Sequence, residues 1–294
     1  GEDRGEPKAR VSATSPPTKP EPSLHEDPTS DSGKIAQTVS ELEPSKRPAT
    51  TLEGRVSTGV RLPNLADFTR FDVARSDEVE VPAFGLDPEE FVGVEASIRE
   101  QRDSWSWLFT AYFTAIDGMI TRRPTGDVID GGSAVTKQNA GDGRVFGFEG
   151  SLTWSPSPNL KWRTQFSAQR GDVTTFPTSE DVSINEPISR LAPALLTSTV
   201  RWFPHGAPWH LEGRVRWSDL QDRLSTRDRA DTQRIPEGGT PGWTVLDLGW
   251  GVPLDHESSI GIALENVFNV NYRRHGSGVN EPGRNLVFRF EQSF

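Results

Sequence analysis

The chain has 294 residues and a net charge of −10, with 33% hydrophobic residues and no cysteine. A mean hydropathy of −0.58, without any apolar run near the roughly 20 residues that a membrane-spanning helix needs, excludes a helical membrane protein. The acidic balance argues against a nucleic-acid-binding surface, which needs clustered positive charge, and the lack of cysteine excludes disulfides and thiolate metal sites.

The first 50 residues differ in composition from the rest of the chain. They are rich in Pro, Ser, Thr, Glu and Lys, and the first aromatic residue is Phe68. Such a segment buries too little apolar surface to offset its conformational entropy. We therefore predict a disordered segment over 1–50, with one weak strand at Ala9 to Ser15 as the alternative, and a folded domain over 51–294. Because the chain starts at Gly1 without a signal-peptide core, we expect it to be processed, truncated or incompletely predicted.

From Glu53 onward, apolar side chains occupy every second position, which is the period of a β-strand. In one such segment the apolar row is Leu211, Gly213, Val215 and Trp217, and the polar row is Glu212, Arg214, Arg216 and Ser218. Few strands of soluble proteins carry that much charge on an inward face. A strand with one face in lipid and the other in a polar lumen explains both rows, so the pattern predicts an all-β, antiparallel transmembrane β-barrel.

About ten such strands follow one another, and the connections between them are alternately short and long. Short periplasmic turns and long extracellular loops are typical of outer-membrane barrels. The segment near Trp107 to Ile120 is apolar on both faces, so its orientation is not predicted. The predicted strands span residues 53–61, 91–103, 106–122, 144–154, 160–173, 194–203, 209–224, 242–252, 258–270 and 284–294.

Aromatic residues support the membrane interpretation. Amphipathic rings collect at a membrane–water interface, and seven of the nine tryptophans lie near a short turn, which predicts a girdle on the periplasmic side. The alternative is a soluble β-sandwich whose core these rings cap, but it leaves the charged faces unexplained. Phe288, Phe290 and Phe294 share one face of the last strand and resemble the sorting signature that the barrel-assembly machinery reads. The seven tryptophans are Trp105, Trp107, Trp154, Trp162, Trp202, Trp209 and Trp250.

Several short motifs, in the same order along the chain, resemble the C-terminal barrel of TonB-dependent receptors. Arg61-Leu62-Pro63-Asn64-Leu65 resembles the R-x-P-N-L entry into a long loop, and Gly147-Phe148-Glu149-Gly150 resembles a G-x-E element that begins a strand. Gly238-Gly239-Thr240-Pro241-Gly242 is similar to the glycine-rich return into a late strand. Glu265-Asn266-Val267-Phe268-Asn269, followed by Tyr272-Arg273, is similar to the motif before the last strand, and Pro282-Gly283-Arg284-Asn285 to the entry into that strand. The Asn266–Tyr272 motif and Phe294 are the most specific pair.

The resemblance implies a receptor of the bacterial outer membrane that imports iron chelates, cobalamin or a similar small nutrient. Family members have roughly 22 strands around a plug, whereas about ten are predicted here, and residues 1–50 match neither the plug nor the segment that engages TonB. We therefore expect part of a larger barrel, in contact with outer-membrane lipid, lipopolysaccharide and the barrel-assembly machinery, and with TonB only if a plug lies upstream. The alternative is a self-contained ten-stranded barrel acting as a pore, adhesin or protease.

Candidate ligand residues lie in the last long loop. Tyr272, Arg273, Arg274 and His275 can hold an anionic group such as a ferric chelate through charge-assisted hydrogen bonds. An equally good interpretation pairs these cations with acidic loop residues such as Glu281, or with lipopolysaccharide phosphates. For the motif residues we expect structural roles, because Asn266 and Asn269 can bond local backbone and Gly283 permits a bend into the last strand.

The sequence contains no enzyme or metal signature that we recognise. Hydrolase, metalloprotease and nucleotide-binding motifs are missing, and the five histidines do not have the spacing of metal ligands. We therefore expect no enzymatic activity, no cofactor and no metal site. One alternative is an acid–base pair of an outer-membrane protease, drawn from Asp228, Asp231 and His275 on the predicted extracellular loops.

Overall fold

A computed structural model describes residues 49–75 and 77–293. Residues 1–48 of the segment predicted to be disordered lie outside the described residues. Its last two residues, 49 and 50, belong to the first strand. The alternative strand at Ala9 to Ser15 and the terminal Phe294 also lie outside the described part of the chain. Within the described residues, no helix combines the length and the apolar character that crossing a membrane requires.

The described residues form thirteen strands and two short helices. The helices are α1 (Leu65–Thr69) and α2 (Thr226–Ala230). The strands are β1 (Ala49–Arg61), β2 (Asp72–Arg75), β3 (Glu78–Glu80), β4 (Glu89–Gln101), β5 (Trp105–Ile129), β6 (Gly132–Ser157), β7 (Leu160–Thr175), β8 (Ile184–Pro187), β9 (Leu195–Trp202), β10 (His210–Ser218), β11 (Trp243–Pro253), β12 (Ser258–Glu265) and β13 (Asn285–Gln292).

Ten of these strands form one continuous antiparallel sheet in the order β1-β4-β5-β6-β7-β9-β10-β11-β12-β13, which confirms the predicted all-β fold and the number of main strands. The short strands β2, β3 and β8 attach to it beside the long loops. Between the described residues of β1 and β13 there is no pairing. The sheet is therefore an open arc, as expected for part of a larger barrel.

The strand register gives this sheet one apolar and one polar face. Val56 pairs with Val94, Val94 with Phe113, and Phe113 with Phe146, and all four side chains are more than 40% exposed. On the other side of the same strands, Arg55 pairs with Glu95 and Glu95 with Tyr112. Exposed apolar rows backed by charged rows are what a lipid-facing surface and a polar lumen require.

The structure also orients β5, which the sequence left unassigned. Phe109 and Phe113 lie on the apolar face, 55% and 44% exposed. Tyr112 lies on the polar face, where its hydroxyl donates to Oε1 of Gln169 at 3.2 Å. Gly147 opposes Tyr112, and a Cβ at this glycine would overlap the tyrosine hydroxyl. The glycine of this motif therefore provides space for an aromatic ring in the lumen.

Polar groups on the apolar face satisfy one another. The indole Nε1 of Trp162 donates to Oγ of Ser198 at 2.8 Å, and the hydroxyls of Thr164 and Ser198 lie 3.0 Å apart. Because lipid offers no hydrogen-bond partners, a polar group facing it must be paired within the protein. Trp162 also packs against Trp154 in a tilted arrangement, with 6.0 Å between ring centroids, beside the short turn between β6 and β7.

The long connections hold more structure than the sequence suggested. The segment between the predicted strands 106–122 and 144–154 is a hairpin and not a loop, because β5 and β6 continue to a turn at Asp130 and Gly131, whose φ angles are 50° and 83°. Two consecutive positive φ angles are typical of the type I′ turn, and Asp-Gly is its usual sequence. Helices α1 and α2 and strands β2, β3 and β8 also lie in predicted loops.

Two predicted strands are too long. We expected one strand over 209–224, but β10 ends at Ser218, because the chain leaves the sheet there and Gln221 bridges to Thr240. We expected another over 258–270, but β12 ends at Glu265, because Asn266 adopts a φ of 49°. Both ends belong to the loops around the candidate site.

The two-faced sheet predicts opposite effects of charge at neighbouring positions. Phe148 lies on the apolar face near the middle of the paired part of β6, and Glu149 lies on the polar face. An arginine at a lipid-facing midplane position costs about 2–4 kcal/mol. We expect Phe148→Arg to lower the folded fraction in lipid vesicles sharply and Glu149→Arg to leave it near that of the parent chain, measured by heat-modifiable gel migration. Equal losses of the folded fraction for the two variants would contradict the assignment of Phe148 and Glu149 to opposite faces.

Candidate functional site

A shallow pocket opens among the long loops beside β11. The return segment into β11 provides Pro236, Pro241 and Gly242, β11 itself provides Trp243, and the last long loop provides Asn271, Tyr272, Arg273 and Asn280. Two of the four predicted ligand residues, Tyr272 and Arg273, therefore line one pocket. The other two lie outside its lining.

Tyr272 forms an aromatic wall together with Trp243. The tyrosine is 6% exposed, and its ring centroid lies 4.5 Å from that of Trp243. The guanidinium of Arg216 lies 5.9 Å from the Tyr272 centroid, within the range of a cation–π contact. Nε1 of Trp243 is buried and has no hydrogen-bond partner among the described residues. The packing therefore fixes the tyrosine ring, and the indole N–H of Trp243 remains a donor without an acceptor among the described residues.

Arg273 is the cation of this pocket. Its Nε donates to Oδ1 of Asn280 at 2.9 Å, and Nδ2 of Asn280 donates to Oδ1 of Asn271 at 2.8 Å. The two Nη atoms of Arg273 make no hydrogen bond with any described residue. Three polar side chains therefore form one chain of hydrogen bonds, and its terminal guanidinium retains free donors.

Arg274 and His275 face other partners. Nε of Arg274 lies 3.1 Å from Oε1 of Glu281, which is the pairing that one interpretation of the sequence expected. Nδ1 of His275 lies 2.9 Å from Oγ1 of Thr240. The four consecutive residues therefore do not form one cluster of cations.

The wall of the pocket rests on a buried ion pair. Arg216 donates from Nε and Nη2 to the two carboxylate oxygens of Asp247, at 2.8 and 3.1 Å. The backbone N–H of Asn266 donates to the same carboxylate at 2.9 Å. These contacts connect β10, β11 and the start of the last long loop, so Asp247 fixes the loop that carries Tyr272. The sequence placed Arg216 in the polar row of its strand but gave no signal that it pairs with Asp247.

Asn266 and Asn269 shape that loop, as the sequence suggested. Asn266 Oδ1 accepts from Val270 N at 2.8 Å, and its Nδ2 donates to Val270 O at 2.8 Å. Asn269 Oδ1 accepts from Arg284 N at 2.8 Å. A Cβ at Gly283 would lie 2.6 Å from this oxygen. Gly283 is therefore required by close approach, and its φ is not among the positive values that would indicate a special bend. Phe268, in the same turn, is 70% exposed.

The other motif residues organise their own loops. Arg61 donates from Nε and Nη2 to the carboxylate of Glu89, at 2.6 and 2.5 Å. Asn64, after Pro63, caps α1 in a capping box with Asp67. Gly239 has a φ of 114° and lies against the carbonyl of Gln221, where a side chain would collide. These positions are explained by local geometry.

The geometry does not favour the protease alternative. Asp228 is 1% exposed and accepts hydrogen bonds from Oγ of Ser189 at 2.7 Å and from the backbone N–H of Arg190 and Ser225. Asp231 pairs with Arg190 at 2.6 Å. Both carboxylates are engaged by donors, so neither is a free base. Within the described residues, no group of three His, Cys, Asp or Glu side chains is placed to hold a metal ion.

Comparisons with known proteins match residues 46–270 to the family described as TonB dependent receptor-like, beta-barrel. The fold is similar to that of the copper transporter OprC, with 16% identity over 83% of this chain and 37% of that one, and a TM-score of 0.62. The fold is also similar to that of the ferric enterobactin receptor PfeA of Pseudomonas aeruginosa, solved as a mutant in complex with enterobactin. The identity is 19% over 86% of this chain and 39% of that one, and the TM-score is 0.63.

The siderophore receptor PirA of Acinetobacter baumannii has a similar fold, with 17% identity over 83% of this chain and 39% of that one, and a TM-score of 0.62. A search of curated proteins found no match to the sequence. The chain spans less than two-fifths of the length of each of these three solved chains. At such low identities these likenesses show the fold alone.

Breaking the ion pair below the pocket has a predictable cost. Asp247→Ala leaves Arg216 and the Asn266 N–H without their acceptor, and Arg216 is only 23% exposed. We expect a loss of about 2–3 kcal/mol in the free energy of unfolding, with faster hydrogen exchange over 266–284. The control Glu281→Gln removes the ion pair of Arg274, which is 67% exposed, and should cost under about 1 kcal/mol. Equal costs would argue against the supporting role of Asp247.

The local stability of the last long loop, which contains His275, is also expected to depend on pH. Burial lowers the pKa of His275 below its ordinary value of 6.5; Asp228 opposes this shift and Arg190 adds to it. The unfolded chain therefore binds the proton more readily, so the stability that the neutral ring provides is present above pH 6.5 and is lost as pH falls through the lower folded pKa. Hydrogen exchange near Thr240, corrected for intrinsic rates, should accelerate on acidification, and His275→Gln should remove that dependence. An unchanged dependence in the variant would assign it to another group.

Proposed function

Because the chain belongs to the TonB-dependent receptor-like β-barrel family, we propose that it is the barrel portion of a bacterial outer-membrane receptor that takes up an iron chelate, cobalamin or a similar small nutrient. The single observation that supports a ligand site is the pocket in which the packed rings of Tyr272 and Trp243 adjoin the free guanidinium nitrogens of Arg273. Aromatic walls with one charged donor suit a planar, anionic ligand. The proposal includes no enzymatic activity, cofactor or nucleic-acid partner.

The solved relatives support the same class of ligand. PfeA is described as a ferric enterobactin receptor and PirA as a siderophore receptor, whereas OprC is described as a copper transporter. These descriptions favour iron chelates without excluding another metal-bearing nutrient. Since the solved chains are more than twice as long, uptake is proposed for the receptor that these strands form part of, with TonB as a partner where a plug is present.

The membrane environment supplies the remaining partners in this proposal. The exposed apolar rows contact outer-membrane lipid, and cations of the long loops, such as Arg274, lie where lipopolysaccharide phosphates are found. The alternating aromatic strand β13 is the element that the barrel-assembly machinery would read. A self-contained ten-stranded barrel is less favoured, because it needs β1 and β13 to pair, and their described residues do not.

The pocket hypothesis can be tested with two adjacent arginines. Arg273 lines the pocket, whereas its neighbour Arg274 pairs with Glu281 outside it. We expect Arg273→Ala to weaken binding of a radiolabelled ferric catecholate to outer-membrane vesicles by about tenfold, the effect of one charge-assisted hydrogen bond. Arg274→Ala should change binding by less than about twofold.

Two results would contradict this proposal. The first is recovery of the chain in the soluble fraction rather than with outer-membrane vesicles, which would remove the receptor assignment. The second is a larger effect of Arg274→Ala than of Arg273→Ala, which would move the ligand away from the pocket.

A further inference from the structure

The antiparallel ladder is interrupted between β7 and β10, where β9 begins late. The last pair between β7 and β9 joins Ser167 to Leu195. If this register continued, Gln169 would oppose Pro193, but proline has no N–H to donate to a neighbouring strand. Pairing along this edge of β7 resumes further on, with β8. Residues 168–171 therefore have no paired strand on that side.

A cavity of about 350 Å³ occupies the place of the missing strand. The side chains that β6 and β7 turn to the apolar face form one side of it, and the segment that follows β10 forms the other. Its volume lies within the range of small-molecule sites. It shares no lining residue with the pocket beside β11. We call this cavity the strand gap; its lining includes Phe146, Phe148, Ala168, Arg170, Leu220 and Asp222.

Backbone groups of β7 are left unpaired in the strand gap. The carbonyl of Gly171 accepts from the N–H of Ile188 at 3.1 Å, so the backbone of Gly171 points away from β6. Alternate residues of a strand point their backbone groups to the same side, so the N–H and C=O of Gln169 face the gap. Neither group bonds to a described residue there. Because lipid tails offer no hydrogen-bond partner, an occupant with polar groups would stabilise this site.

One free cation and one free carboxylate flank the strand gap. Arg170 and Asp222 are exposed and line it, and neither makes a hydrogen bond or ion pair with any described residue. The other charges of the lining are engaged. Arg223 pairs with Asp172 at 2.7 Å, and Asp219 accepts from the backbone N–H of the next residue at 2.8 Å. Two unpaired charges of opposite sign therefore remain beside apolar side chains.

We propose that the strand gap binds a single-chain zwitterionic amphiphile from the surrounding membrane, with one acyl chain and a head that carries a phosphate and an ammonium group. The chain lies against Phe146 and Phe148. The phosphate pairs with Arg170 and the ammonium with Asp222 through charge-assisted hydrogen bonds. A purely anionic head would leave Asp222 without a partner. Binding at this site is separate from nutrient uptake at the pocket beside β11.

The binding test uses the whole chain folded in vesicles of diacylphosphatidylglycerol, whose head lacks an ammonium group. The probe is dodecanoyl lysophosphatidylethanolamine with a photoreactive diazirine near the end of its acyl chain. Mass spectrometry measures the labelled fraction against the mole fraction of probe. We expect saturable labelling that maps to β6 and β7. Arg170→Gln combined with Asp222→Asn should raise the half-saturating mole fraction at least about tenfold, because both charge-assisted contacts are lost.

The matched control removes the same two charges from the polar face. Glu53 and Arg99 are exposed, lie on β1 and β4 and make no ion pair with any described residue. Glu53→Gln combined with Arg99→Gln should change half-saturation by less than about twofold.

Three results would overturn the proposal. An equal change in the control would show a general effect of charge. Half-saturation by a diazirine-labelled lysophosphatidic acid at the same mole fraction would show a site for phosphate alone, because this lipid lacks the ammonium group. Labelling that rises without saturation would show contact with bulk lipid.

A variant that fills the strand gap tests the proposal without changing charge. Ala168 lines the gap and opposes Phe148 on the apolar face, where a larger apolar side chain is compatible with lipid. We expect Ala168→Phe to abolish saturable labelling, while heat-modifiable gel migration shows the folded fraction of the parent chain. Undiminished labelling of the folded variant would place the acyl chain elsewhere and overturn the proposal. This result decides the question if the charge variant does not fold.

Discussion

The structure depends on one constraint, which is that each strand of the antiparallel ladder must keep its alternate side chains in step with those of its neighbours. A slip by one residue would turn every apolar side chain to the polar face. The register holds this alternation from β1 to β13, so that Val94, Phe113 and Phe146 share one surface and Glu95, Tyr112 and Gly147 the other. Both the lipid-facing surface and the polar lumen follow from that alignment.

Buried carboxylates connect this sheet to the long loops. Glu89 accepts from Arg61 and from the backbone N–H of Ile120 at 2.7 Å, which fixes the first long loop against β5. Asp247 does the same for the last long loop through Arg216. Asp228 fixes α2 against the residues that precede β9. Each of these three loops is therefore positioned by a buried carboxylate that accepts several hydrogen bonds, and the candidate pocket is built on one of them, Asp247.

Much of the fold could be predicted because its signals are local. Alternation of apolar and charged residues specified the ten main strands, and Asn266 and Asn269 indicated the turn before β13. The extended hairpin was missed although Asp130-Gly131 is a strong turn sequence, because the polar residues on both sides were assigned to a loop. The loop helices were missed because five residues do not show a helical period.

The candidate site was predictable only in part, because its contacts join distant parts of the chain. Tyr272 and Arg273 stood out through their motif, but the burial of Tyr272 depends on Trp243 and Arg216, which no local pattern connects to it. The hydrogen bond from Ser179 to Glu78 likewise joins residues that are 101 positions apart, so no local sequence pattern could predict it. Lys161 and Arg201 are visible in the sequence only as single charges, and the strand register shows that they oppose each other.

The central claim is that the sheet has a lipid face and a water-filled face, and its most direct test uses the absence of native cysteine. Single cysteines introduced in turn along β6, from Arg144 to Trp154, can be labelled with a water-soluble maleimide in outer-membrane vesicles. The account predicts fast labelling at odd positions and protection at even positions, with a period of two. Uniform labelling along the strand, or protection at the odd positions, would contradict it.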